Sequence, residues 1–177
     1  MEFLLFDNNL KEKYSGDILA LMYQSDNDFV PPLSKRTSTT QTNLKGNDAD
    51  SSFDGIASYH QEMMKQYILG VVEDERLLGF VSYKEDMCSD VIGEDTLPNI
   101  YVSTLMLHTD ARGKNLTYRM YDYLFNEVYK NSSIFTRTWS TNFAHIKILS
   151  KFSFDELKRI ENDRGAGIDT VYYSLIR

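Results

Sequence analysis

Arg112, Gly113, Lys114 and Asn115 place a forked cation, a residue without a Cβ, a mobile ammonium and a side-chain amide in four consecutive positions. Behind them runs NIYVSTLML, Asn99 to Leu107, and ahead of them Leu116, Met120, Leu124 and Val128 recur at intervals of four. The first stretch reads as a strand, the second as the buried stripe of a helix reaching about Lys130. A turn between strand and helix leaves the first amides of the helix without intrahelical partners, with the positive end of the helix dipole behind them. Such a spot favours an anion, and phosphate suits it well. Arg112 adds a bidentate donor, Lys114 a point charge, and Gly113 lets the backbone approach a ligand. The same letters also describe an exposed polar turn in which Asn115 caps the helix. A strand–turn–helix setting inside a crossover unit is what a phosphate-binding turn requires.

The remaining elements must position this turn. Glu2 to Phe6 reads as a short strand and Leu10 to Tyr23 as a helix. From Asp26 to Asp54 the text turns polar, with Pro31 and Pro32 as breakers, and predicts a long loop or partly helical flap over residues 31–54. Ser52 to Lys65 resumes helical spacing, Tyr67 to Val72 reads as a buried strand, and the turn Glu73 to Arg76 joins it to Leu77 to Tyr83 as a hairpin. An acidic connection through Glu85, Asp86, Asp90, Glu94 and Asp95 leads to the strand before the turn. Beyond the central helix come a strand, Ser133 to Ser140, a short helix, Phe143 to Phe152, and strands near Leu157 to Glu161 and Thr170 to Ile176. The order predicts an α/β (α+β) fold, a mixed, mostly antiparallel sheet with helices on both faces, in one domain of 177 residues.

Composition excludes several classes. With 19 Lys and Arg against 26 Asp and Glu, the formal charge of −7 disfavours nucleic acid or an anionic membrane as partner. One cysteine, Cys88, cannot close an intramolecular disulfide, and no Cys/His spacing suits a metal. The start of the chain lacks a signal-peptide pattern, so the expected location is cytoplasmic.

The run LMLHTDARGKNLTYRMYDYLF, Leu105 to Phe125, resembles the acyl-CoA-binding segment of the GNAT superfamily of N-acyltransferases, where an apolar strand leads into Arg-Gly-x-Gly-x-Gly/Ala and a helix. Downstream, STNFAHIKILSKFSF, Ser140 to Phe154, is similar to the next family signature, with Asn142, Lys151 and Phe154 in register. The resemblance implies acetyl-CoA as co-substrate, no metal, and acetyl transfer to a primary amine of a small molecule or peptide by direct attack on the thioester. It implies that backbone groups of Leu105 and Leu107 bond the pantetheine amides and that an amide near Met106 serves as oxyanion donor. Arg112 and the amides of Gly113, Lys114, Asn115, Leu116 and Thr117 would hold the pyrophosphate, and Asn142 would lie near the thiol end. The acidic connection and the flap are the expected acceptor side, which suits a cationic amine; a homodimer is the default assembly.

The sequence departs from the family at Asn115, Thr117 and Ser153, where glycine or another small residue is usual, and above all at Leu149, where the family carries the Tyr that protonates the departing thiolate. Tyr101, His145, Ser150 and Tyr173 remain as candidates for proton transfer, and His108 invites a role as base. The vacant tyrosine position also admits a second reading, a non-catalytic acyl-CoA-binding or partner-binding module on the same fold.

Overall fold

A computed structural model describes residues 1–36, 38–41, 44 and 54–177. Its centre is one seven-stranded sheet in the order β1-β2-β3-β4-β5-β7-β6. The strands are β1 (Glu2–Leu5), β2 (Tyr67–Glu73), β3 (Arg76–Glu85), β4 (Asn99–Leu107), β5 (Ser133–Trp139), β6 (Asp155–Ile160) and β7 (Thr170–Leu175). Every neighbouring pair is antiparallel except β4 and β5, which run parallel because a helix crosses between them.

Local chemistry explains the boundaries. Helix α1 (Asn8–Gln24) starts where the Asp7 carboxylate accepts from the Leu10 amide at 2.8 Å, and α2 (Gly55–Met64) starts where Asp54 accepts from Ile56 and Ala57. The β2–β3 turn holds Asp74 and Glu75 at φ 49° and 62°, the left-handed pair whose twist matches that of a tight hairpin. The expected flap is described only in part, since positions 37, 42–43 and 45–53 lie outside the described residues. A 3₁₀ turn, Leu33–Lys35, occupies its first part, and another, Asp26–Asp28, precedes it. The start expected for the second helix, Ser52 and Phe53, also lies outside them.

One correction concerns the central helix. It is α-helical only as α3 (Leu116–Asp122) and continues as a π-helical segment, Tyr123–Val128. The fourth helix, α4, spans Phe143–Lys151. Both faces of the sheet are covered. Ile18, Met22, Tyr59 and Met63 from α1 and α2 pack with Ile68, Phe80 and Met106 on one face. Met120, Leu124 and Leu149 pack with Val81, Val102, Ile134 and Val171 on the other. Strand β6 ends the sheet as an exposed edge carrying Asp155, Glu156, Lys158 and Arg159, charges that discourage pairing with another chain.

Candidate cofactor and active site

The site begins where the sheet comes apart. Strands β4 and β5 pair from Asn99↔Ser133 to Val102↔Thr136 and then separate. At the parting the Thr136 hydroxyl donates to the Val102 carbonyl at 3.0 Å, replacing a lost backbone rung. On its other side β4 carries a bulge: Ser82 pairs with Thr104 but Tyr83 pairs with Val102, so Ser103 is the extra residue. The bulge reverses the alternation of faces. Before it Tyr101 lies on the α1/α2 side; beyond it Met106 takes that side and Leu105 and Leu107 turn to the α3/α4 side. Ser103 is fixed by hydrogen bonds with Ser82 and Gln66.

The separation opens a cleft of about 270 Å³. Its walls are Val102 to Leu107 of β4, Thr136 to Trp139 of β5, Thr117 and Tyr121 of α3, and residues of α4, with Ser25, Asp28 and Phe29 at the end of α1. The Arg-Gly-Lys turn forms its rim. Gly113 and Asn115 adopt φ 73° and 59°, and no side chain caps the first amides of α3. Asn115 replaces glycine at little cost because its short polar side chain tolerates this left-handed conformation. Buried Leu116 anchors the helix start, while Arg112 pairs with Asp28 at 2.6 Å across the mouth and donates through Nε to the Leu107 carbonyl at 3.3 Å. Uncapped amides, positive φ at alternate positions and a free strand edge fit a pyrophosphate and an extended amide-bearing arm.

Asn142 caps α4, accepting from the His145 amide at 3.3 Å and donating to Thr138 Oγ1 at 3.0 Å. That places His145 on the cleft wall, its Nε2 at 2.8 Å from the Tyr121 hydroxyl. The imidazole keeps some surface exposure, yet the side chains packed around it desolvate the ring and pull its pKa down to about 4, so it is neutral at physiological pH. Burial also raises the Tyr121 phenol.

The structure sorts the sequence candidates. Leu105, Met106, Leu107, Arg112, Thr117 and Asn142 line the cleft. Gly113, Lys114 and Asn115 are exposed on its rim. Of the proton-transfer candidates only His145 reaches the cleft. Ser150 is exposed and donates back to the Lys147 carbonyl at 2.9 Å. Tyr173 is buried on the α3/α4 side of the sheet, and Tyr101 is enclosed beside Phe135 and Ile92, its hydroxyl pushed up to about 12 by burial. Leu149 is 1% exposed within the core. His108 lies outside the cleft, its Nδ1 3.2 Å from Asp110. None of Glu85, Asp86, Asp90, Glu94 or Asp95 lines the cleft, so the acidic connection does not build it. Two cleft-lining residues, Tyr121 and Trp139, carry no mark in the sequence: Tyr121 meets His145 through its hydroxyl, and Trp139 lies with its ring centroid 5.8 Å from that of Phe29.

No family model matches the sequence, and no curated protein does. Solved structures do. The ribosomal-protein-alanine N-acetyltransferase of Brucella melitensis superposes with a TM-score of 0.69 over 100% of both chains at 12% identity. A GNAT-family protein from Desulfovibrio desulfuricans superposes with a TM-score of 0.63, covering 99% of this chain and 98% of the other at 10% identity. The chain has the GNAT fold. An aminoglycoside 6′-N-acetyltransferase solved with coenzyme A shares it, with a TM-score of 0.64 and 14% identity over 99% of this chain and 97% of that one. The GNAT fold accounts for the agreement of every strand from Tyr67 onward with the expected order.

Proposed function

We propose that the chain transfers an acetyl group from acetyl-CoA to a primary amine. The observation that carries this is the parting of β4 and β5 beside a turn whose helix start is uncapped: a free strand edge for amides, next to a cradle for phosphates. Acetyl-CoA supplies a thioester; the amine lone pair forms the new C–N bond, the C–S bond breaks, and the amine proton ends on sulfur. The chain's own residues bind, orient and move that proton. Arg112 and the amides of Gly113 to Thr117 hold phosphate charge, and the β4 edge beyond Ser103 orients the arm.

Tyr121 and His145 form the proton-bearing pair on the cleft wall. Both are neutral at physiological pH, so the phenol can give a proton and recover it through the imidazole. Tyr121 from the facing helix α3, with His145 four residues before Leu149 on α4, does what Leu149 cannot. A thiol titrates at about 8.5, so the demand on this pair is modest.

Calorimetric titration with CoA, followed by a free-thiol assay with acetyl-CoA and a panel of amines, tests the reading. Binding with thiol release supports it. Binding with no release on any amine favours the non-catalytic acyl-CoA binder, for which the buried Leu149 is the supporting observation. No binding, with Arg112→Ala indistinguishable from the parent, removes both.

A further inference from the structure

Three arginines gather on the sheet face opposite α3 and α4. Arg36 and Arg164 are each only 7% exposed, and Arg137 on β5 is mostly buried. They come from distant parts of the chain: the segment after α1, the strand beside the cleft, and the β6–β7 connection. Each lies within the electrostatic reach of the other two.

Their partners among the described residues are neutral. Arg36 donates to the carbonyls of Val30 and Pro31, Arg164 to the Val30 carbonyl and Thr170 Oγ1, and Arg137 to the Tyr172 hydroxyl and the carbonyls of Thr39 and Gln41. Among the described residues none of the three makes an ion pair. One carboxylate is buried nearby, Asp163, and it accepts from the Thr170 hydroxyl rather than from a guanidinium. Burying cations with so little countercharge is expensive, and the cost shows at Arg164, whose pKa is drawn down to about 9 by burial and by Arg36 and Arg137. A chain of formal charge −7 has carboxylates to spare. Among the described residues none of those carboxylates pairs with these guanidiniums.

The cluster adjoins the cleft. Arg137 lines it directly, and so do Phe29 and Trp139, which face one another there. The other two guanidiniums stack behind these rings, Arg36 at 5.4 Å from the Phe29 centroid and Arg164 at 5.6 Å from that of Trp139. This cation-backed aromatic end lies on β5, across the gap from the β4 edge assigned to the acyl donor.

We propose that the acceptor amine carries an anionic group, a carboxylate or phosphate, which Arg137 holds at this end of the cleft in the field of Arg36 and Arg164, with Phe29 and Trp139 flanking its carbon skeleton. The proposal rests on the acetyl-transfer reading for the word acceptor, and it replaces the cationic amine expected from the acidic loop. A guanidinium recognises either anion by two parallel N–H···O bonds.

The test uses matched pairs that differ only in the anion: L-phenylalanine against 2-phenylethylamine, and phosphoethanolamine against ethanolamine, each with acetyl-CoA and the full chain. The expected result is a kcat/KM at least tenfold higher for one anionic member, the pair concerned identifying carboxylate or phosphate. Arg137→Gln abolishes that preference and Arg137→Lys retains part of it, with thermal unfolding checking that both variants fold. Should no amine be consumed, N-acetylphenylalanine and N-acetyl-2-phenylethylamine, and the corresponding phosphoethanolamine pair, are titrated into CoA-saturated protein. Tighter binding of an anionic member supports the proposal. Equal or better handling of both neutral members, with CoA bound, overturns it. Failure of the acetyl-transfer reading registers separately, as absent CoA binding or as CoA binding with no thiol release on any amine.

Discussion

His145 is a histidine that the fold keeps uncharged, and that has two measurable consequences. Its folded pKa of about 4 lies below the unfolded value of about 6.5, so between those limits the unfolded chain binds the extra proton. Stability from this group is therefore complete above about pH 6.5 and is lost as the pH falls toward 4. We expect the difference in unfolding free energy between parent and His145→Gln to shrink by about 1–3 kcal/mol across that window, read from urea denaturation at pH 7 and pH 4.5. In turnover, Tyr121→Phe is expected to lower kcat about tenfold or more while leaving CoA affinity within about twofold, since a general acid acts in the transition state. At Leu149 the opposite holds. Leu149→Ala is expected to cost about 2–4 kcal/mol of stability, by urea unfolding, and to change kcat little, because this side chain fills core rather than cleft. The vacancy at Leu149 was legible in the sequence, and so was His145 as a candidate, but the pairing of His145 with Tyr121 was not. Tyr121 and His145 are 24 positions apart on different helices, and only the packing of α3 against α4 brings their polar atoms together.

Elements were more legible than side chains because each carries its own punctuation. Asp7 and Asp54 announce helix starts, the charged turn after Glu73 announces a hairpin, and four-residue spacing announces α3. The π-helical continuation from Tyr123 was not legible, since widening one turn leaves the apolar stripe unchanged in the text. Neither was the bulge at Ser103: its signature is a pairing with β3, which a single strand's sequence does not contain. The turn before α3 offers the clearest test at this scale. Asn115→Gly is expected to leave stability and CoA affinity within about twofold of the parent, because glycine adopts φ 59° freely. Asn115→Val should cost about 1–2 kcal/mol and weaken CoA binding, since a β-branched side chain crowds the left-handed conformation. Equal CoA affinity for both variants, by calorimetry, would argue against the cradle.

The molecule as a whole has no helix, among its described residues, long and apolar enough to cross a membrane, and its sheet links every element around two buried faces. A ligand that binds only the folded chain therefore stabilises all of it. CoA at a hundredfold excess over its Kd should add about 2.7 kcal/mol, or roughly 5–10 °C in Tm for a chain of this size, measurable by scanning calorimetry. The cleft was visible in the sequence as two motifs, yet its cationic end was not, because Arg36, Arg137 and Arg164 look like three unrelated surface charges until the fold assembles them. One last consequence follows from the short pairing of β4 with β5. Only four residue pairs stitch the β1–β4 half of the sheet to the β5–β7–β6 half. Mechanically this is a hinge with few rungs, and a cofactor arm laid along the free edges would act as its splint. Amide hydrogen exchange at residues 103–107 and 137–139 should accordingly slow on CoA addition, more than at the β2–β3 ladder, which has no such opening to close.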